Sequence, residues 1–137
     1  MASDPIGEIQ RAIITFNRNT RNQAAKMVSG GSLVSAPILA YVDASEDPTA
    51  TDLALLWGLD KSTVSRQLGE LEEKGLLRRE PHETRPRTQQ LKLTAKGKKA
   101  LTTAITKHRE ALEQTLASWS PADVETFSVL LARFVAD

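Results

Sequence analysis

Two short helical patterns meet across Gly58-Leu59-Asp60, and that junction limits the folds open to this chain more than any other feature in it. Upstream, Thr51 is the expected cap of a short helix running through Trp57, which Gly58 terminates. Downstream, Asp60 caps a helix from Lys61 to about Lys74, and Gly75 comes next in the position where a left-handed residue closes a helix. Two short helices joined by a tight turn are the signature of a helix-turn-helix. On the second helix Val64, Leu68 and Leu71 share a narrow arc and must face a core.

The segment after the junction is equally specific. Leu76-Leu77-Arg78-Arg79 leads into a turn-rich stretch with Pro81 and Pro86, and Thr88 to Leu93 then alternates through Gln89, Leu91 and Leu93. That pattern reads as a β-hairpin with a basic tip, a wing. Long helical patterns flank this central unit. Ile6, Ile9, Ile13, Phe16, Thr20, Ala24 and Met27 recur at steps of three and four, and Ser29-Gly30-Gly31-Ser32 interrupts the helix. Ser35 caps a helix to about Val42 with Pro37 in its first turn. Thr94 opens a helix to about Ser118 that carries Leu101, Ile105, His108, Leu112, Leu116 and Trp119. Ser120-Pro121-Ala122-Asp123 is a capping box opening a last helix with Val124, Phe127, Leu130, Leu131 and Phe134. The predicted order is α-α-α-α-β-β-α-α: a mainly helical fold with a small hairpin, in one domain over residues 1–137. Within it, 35–93 form the winged lobe and 5–28 and 94–137 a helical dimerisation region.

Charge singles out the middle of the chain. Residues 1–60 carry four Lys/Arg against seven Asp/Glu (−3), residues 61–109 thirteen against five (+8), and residues 110–137 one against five (−4). A basic centre between acidic ends points to one surface that meets a polyanion. On the helix after the junction, the side opposite the core presents Ser62, Ser65, Arg66 and Gly69, flanked by Lys61, Thr63 and Gln67. Its acids, Glu70, Glu72 and Glu73, are confined to the C-terminal half. A helix that enters the major groove by its N-terminal end needs this polarity, and Arg66 can donate to guanine O6 and N7. Gly69 is expected where another backbone approaches closely.

Asp60-Lys61-Ser62-Thr63-Val64-Ser65-Arg66, Leu71-Glu72-Glu73-Lys74-Gly75-Leu76-Leu77-Arg78-Arg79 and Leu93-Thr94-Ala95-Lys96-Gly97 together resemble the MarR family of winged-helix regulators. The resemblance spans essentially the whole chain in order and spacing. It implies a homodimer with interlocked terminal helices that binds a pseudo-palindromic duplex through Lys61, Ser62, Thr63, Ser65, Arg66 and Gln67 on the recognition helix. The wing contacts would be Arg85, Arg87, Thr88 and Gln90. It also implies repression relieved by small phenolic or lipophilic ligands, for which Tyr41, Trp57 and Trp119 are candidate pocket residues, although aromatics at helical spacing more often belong to a core.

The wing departs from the family pattern. The family carries Asp-x-Arg nine residues before the threonine of its Leu-Thr-x-x-Gly motif, and here those positions read Arg85-Pro86-Arg87. Arg87 keeps the arginine, but Arg85 replaces the acid that would orient it. The expectation is a less ordered, more cationic wing, with Glu83 as a substitute partner and His82 exposed. Lys92, Lys96, Lys98 and Lys99 either line the same face or are solvated, and His108 belongs to an interface.

Several function classes find no support. The chain has no cysteine, hence no disulfide or thiolate site, and its two histidines are far apart, without metal-ligand spacing. No catalytic constellation or cofactor motif stands out. The longest apolar runs, such as Leu53 to Trp57, are too short to cross a bilayer, and MASDPIGEIQ lacks the order of a secretory signal, so a soluble cytoplasmic protein is expected. The alternative to a DNA-binding regulator is a winged-helix module for protein–protein contact. Such a module calls for apolar residues at the wing tip, and Glu80 to Gln90 carries no aromatic or large aliphatic side chain.

Overall fold

The structure is a computed structural model describing residues 2–26 and 35–136. The expected Ser29-Gly30-Gly31-Ser32 break, Met27, and the side chains of Thr20, Ala24 and Ser35 lie outside the described residues. The elements are α1 (Pro5–Lys26), α2 (Ser35–Ala44), α3 (Ala50–Trp57), α4 (Lys61–Glu73), β1 (Leu77–Pro81), β2 (Gln89–Leu93), α5 (Ala95–Thr115) and α6 (Pro121–Val135). Their order is the predicted one. Residues 1–98 and 99–137 form two compact units, and the boundary falls inside α5.

One core organises the first unit. Ile38, Leu39 and Val42 of α2, Leu53 and Ala54 of α3, and Val64, Leu68 and Leu71 of α4 are all buried, as are Leu77 of β1 and Leu91 of β2. The three α4 residues are those the helical arc assigned to the core. Helix α3 begins earlier than expected. Its cap is Thr49, whose hydroxyl accepts the Asp52 N–H at 3.0 Å, and not Thr51. Thr49-x-x-Asp52 places an acid in the first helical turn beside a hydroxyl cap, which is a better start signal than Thr51.

Thr49 does a second job. It forms an isolated antiparallel bridge with Gln90, and the Leu91 N–H donates to the Pro48 carbonyl at 2.9 Å, so the turn before α3 is pinned to the second strand of the hairpin. Thr49 is accordingly 0% exposed. After each helix of the helix-turn-helix the chain reverses through a left-handed glycine. Gly58 (φ 63°) lets the Leu59 N–H reach back to the Ala54 carbonyl, and Gly75 (φ 74°) lets the Leu76 N–H reach Leu71. These bonds satisfy carbonyls that the ends of α3 and α4 would otherwise leave without partners.

The hairpin pairs Leu77 with Leu93 through to Pro81 with Gln89. The Thr94 hydroxyl accepts the Gly97 N–H as the cap of α5, while donating to the Gly75 carbonyl at 2.6 Å. The expected cap of α6 is also present, with Ser120 accepting the Asp123 N–H and Pro121 in the first helical position. Apolar side chains of the terminal helices remain open to solvent in the single chain. They include Ile6, Ile9, Ile13 and Phe16 on α1, Ile105 and Leu112 on α5, and Phe127, Leu130, Leu131 and Phe134 on α6. Among the described residues no helix is long and apolar enough to cross a membrane.

Candidate nucleic-acid interface

Helix α4 presents its expected outer face. Lys61, Ser62, Ser65 and Arg66 are exposed, and Thr63 and Gln67 are half-buried at its margins. The helix start is already occupied by an anion of its own. Asp60 accepts the Thr63 N–H at 2.8 Å and the Ser62 hydroxyl at 3.3 Å. Hydrogen bonds from Thr63, then from Ser62, and the charge of Arg66 hold its carboxyl below the usual carboxylate range. The N-terminal N–H groups of α4 are thus partly satisfied within the chain, and the exposed positive charge at this end is that of the Lys61 and Arg66 side chains.

Arg79 of β1 ties this helix to the hairpin. Its Nη1 donates to the Ser65 hydroxyl at 3.1 Å and its Nε pairs with Glu72, so one guanidinium holds two turns of α4. Ser65 keeps its own O–H as a donor. Gly69 lies beneath the same group. A β-carbon there would meet Arg79 Nη2 at 3.7 Å, an ordinary contact with a side chain, so the expected close backbone approach at Gly69 is not found. That approach occurs at Gly97, where a β-carbon would overlap the Leu76 carbonyl.

The wing is more ordered than its sequence suggested. His82, expected to be exposed, has a side chain only 9% exposed and sits at the centre of the tip. Its Nδ1 accepts the N–H groups of Thr84 (3.1 Å) and Arg85 (3.0 Å), which requires the ring proton to sit on Nε2. Nε2 lies 2.9 Å from both oxygens of Asp47, and Asp47 also accepts from the Gln90 amide. Arg85 does have an acidic partner, in a place the family pattern does not suggest. Its Nη1 and Nη2 reach the two oxygens of Asp52 on α3 at 3.1 and 3.3 Å. The Arg85 guanidinium, followed by Thr49, lowers the Asp52 carboxyl below its ordinary range, and Asp52 in turn raises the Arg85 pKa.

Glu83 is exposed and does not fill the partner role. Arg87 is exposed with a left-handed backbone (φ 57°), and among the described residues no carboxylate forms a salt bridge with it or with Arg66. Thr88 is half-buried and its hydroxyl donates to the Pro86 carbonyl at 3.3 Å. The lysines after the wing divide: Lys92 pairs with Glu80 across the hairpin, and Lys96 donates to the Lys74 carbonyl.

The candidate pocket residues fall in different units. Tyr41 and Trp57 are half-buried in the first, whereas Trp119 belongs to the second, 42% exposed and edge-to-face with Phe127 at 5.5 Å. His108 is exposed. Sequence reading did not find Asp47, Asp52, Arg79 or His82. Only Asp52 left a local trace, through its spacing from Thr49; the contacts that tie Asp47, Arg79 and His82 to other elements span 7 to 43 positions.

Comparison with known proteins agrees with this fold. Residues 30–87 match the model of the MarR family. The HTH-type transcriptional regulator YxaD of Bacillus subtilis (strain 168) is 31% identical over 132 residues, covering 95% of this chain and 92% of the relative. Among solved structures, a MarR family protein from Bacillus stearothermophilus superposes with a TM-score of 0.81 at 19% identity, covering 97% of this chain and 96% of that one. Streptococcus pneumoniae FabT, solved in complex with DNA, gives 0.74 at 18% identity, covering 96% and 94%.

Proposed function

This chain belongs to the MarR family of transcription regulators, and from that premise we propose that it is a homodimeric repressor that reads a pseudo-palindromic duplex. The N-terminal half of α4 enters the major groove. Arg66 reads base edges, Lys61 and Ser62 contact phosphates, and Thr63, Ser65 and Gln67 complete the contact surface. The wing reaches the neighbouring minor groove with Arg87, and Thr88 and Gln90 flank it. The observation that carries this reading is the exposed guanidinium of Arg66 at the acid-poor end of a helix whose opposite side is locked into the core. Exposed apolar faces on α1, α5 and α6 support the dimer, because two chains would cover what one leaves open. Release by a small aromatic or lipophilic ligand belongs to the same proposal.

Selection of bound sequences from random duplexes tests it, followed by affinity measurements over a range of salt. The expected result is a pseudo-palindrome with half-sites about one helical turn apart. Arg66→Ala should cost about 1–3 kcal/mol at one base position. Arg87→Ala should lower the salt slope by about 0.9 for each phosphate the side chain neutralises in the wild type. A chain that shifts no duplex at any salt concentration is instead a protein-binding winged helix.

A further inference from the structure

We propose that Arg85 and Asp52 form a latch that positions the wing to present Arg87, and that Arg85 itself makes no phosphate contact. The inference rests on the DNA-binding reading above and assigns Arg85 a different part in it. Arg85 is anchored at both ends: its backbone N–H donates to His82, and its guanidinium bonds both oxygens of Asp52. The acid is itself firmly placed. Asp52 lies in the first turn of α3, its N–H held by Thr49, and Thr49 is fully buried and bridged to Gln90 in the wing's own second strand. Latch and wing are therefore joined through that bridge.

Only Pro86 separates the latch from Arg87, and the proline ring leaves that link a single backbone torsion to vary. Arg87 adopts φ 57°, a conformation that side-chain-bearing residues keep only where their surroundings hold it. The fixed position of Arg85 supplies that constraint. Moving the Arg85 guanidinium to a phosphate would strand the Asp52 carboxylate facing the polyanion, so the pair stays closed on DNA. The family's Asp-x-Arg keeps its acid in the wing. Here the polarity is inverted and the acid has moved to α3, with the same consequence for the arginine two positions on.

The test uses the full chain and the duplex recovered by selection, with affinities measured across salt concentrations for Arg85→Met, Asp52→Asn, their double variant, and the exchange of Arg85→Asp with Asp52→Arg. Each single variant should weaken binding by about two- to fivefold, the scale of a part-exposed ion pair. The double variant should be no worse than either single, and the exchange should recover most of the loss. In an Arg87→Ala background the salt slope should be the same with and without Arg85→Met. Removing an acid near DNA would ordinarily strengthen binding, so tighter binding by Asp52→Asn overturns the latch. So does a slope that Arg85→Met lowers by about 0.9 when Arg87 is already alanine, the mark of a phosphate neutralised by Arg85 itself.

A second readout needs no DNA. In the free protein, well below both melting temperatures, tryptic cleavage between Arg87 and Thr88 should accelerate in Asp52→Asn relative to wild type, and by more than in Asp60→Asn, which loses a helix cap but keeps the latch. An unchanged cleavage rate also overturns the latch. Failure of the wild type to bind any duplex instead overturns the DNA-binding reading and leaves this second test standing.

Discussion

Two glycines show what a single residue contributes. At Gly97 a β-carbon would overlap the Leu76 carbonyl, backbone against backbone, and neither partner can rotate away. Gly97→Ala should therefore destabilise the fold by about 1–3 kcal/mol, the usual range for forced overpacking. At Gly69 a β-carbon meets only the end of Arg79 at 3.7 Å, so Gly69→Ala should gain up to about 1 kcal/mol of helix propensity. Urea denaturation of both variants at one protein concentration checks the opposite signs. The motif Leu93-Thr94-Ala95-Lys96-Gly97 was recognisable in the sequence, but its spatial reason was not. Helical periodicity reports which way a residue faces and says nothing about which backbone lies there. His82 makes the same point, since its partner Asp47 is 35 positions away and no local pattern links them.

The caps govern behaviour at the scale of elements. Asp52 in the first turn of α3 and Asp60 at the start of α4 both have carboxyls below the ordinary range, the first chiefly through Arg85 and the second chiefly through Thr63. A carboxyl lowered in the folded state stabilises it fully above its unfolded pKa, about 3.9 for aspartate, and that contribution is lost as pH falls through the lower folded value. Both helices should thus weaken in acid below about pH 4. Melting temperatures should show Asp52→Asn and Asp60→Asn below the wild type at neutral pH, with the difference shrinking toward about pH 3. A gap that persists in acid would rule this mechanism out. The start of α4 was legible because Asp60 directly precedes the apolar period. The start of α3 was misplaced because Thr51 is also a good hydroxyl cap; the Thr49-x-x-Asp52 spacing favours Thr49, and its bridge to Gln90 holds it there.

For the whole molecule, the outstanding demand is the apolar surface of the terminal helices. Phe134 is 65% exposed and Ile6 76%, values that a partner chain would reduce. Phe134→Asp should move the mass measured by light scattering from two chains toward one, and a monomeric wild type would remove the basis for a two-fold operator. The sequence alone determined the order of elements, the inward arc of α4, the glycine turns and the cationic outer face. All of these are written in periodicity, capping chemistry and charge between near neighbours in the chain. Only the tertiary structure decided which cations are held. Among the described residues, Arg66 and Arg87 form no salt bridge, while Arg79 and Arg85 are tied to Glu72 and Asp52. An arginine looks the same in a sequence whether or not an acid from another element has folded against it. The wing that lacks its acid in the sequence is the clearest example, because Asp52 reaches Arg85 across 33 positions of chain that only folding brings together.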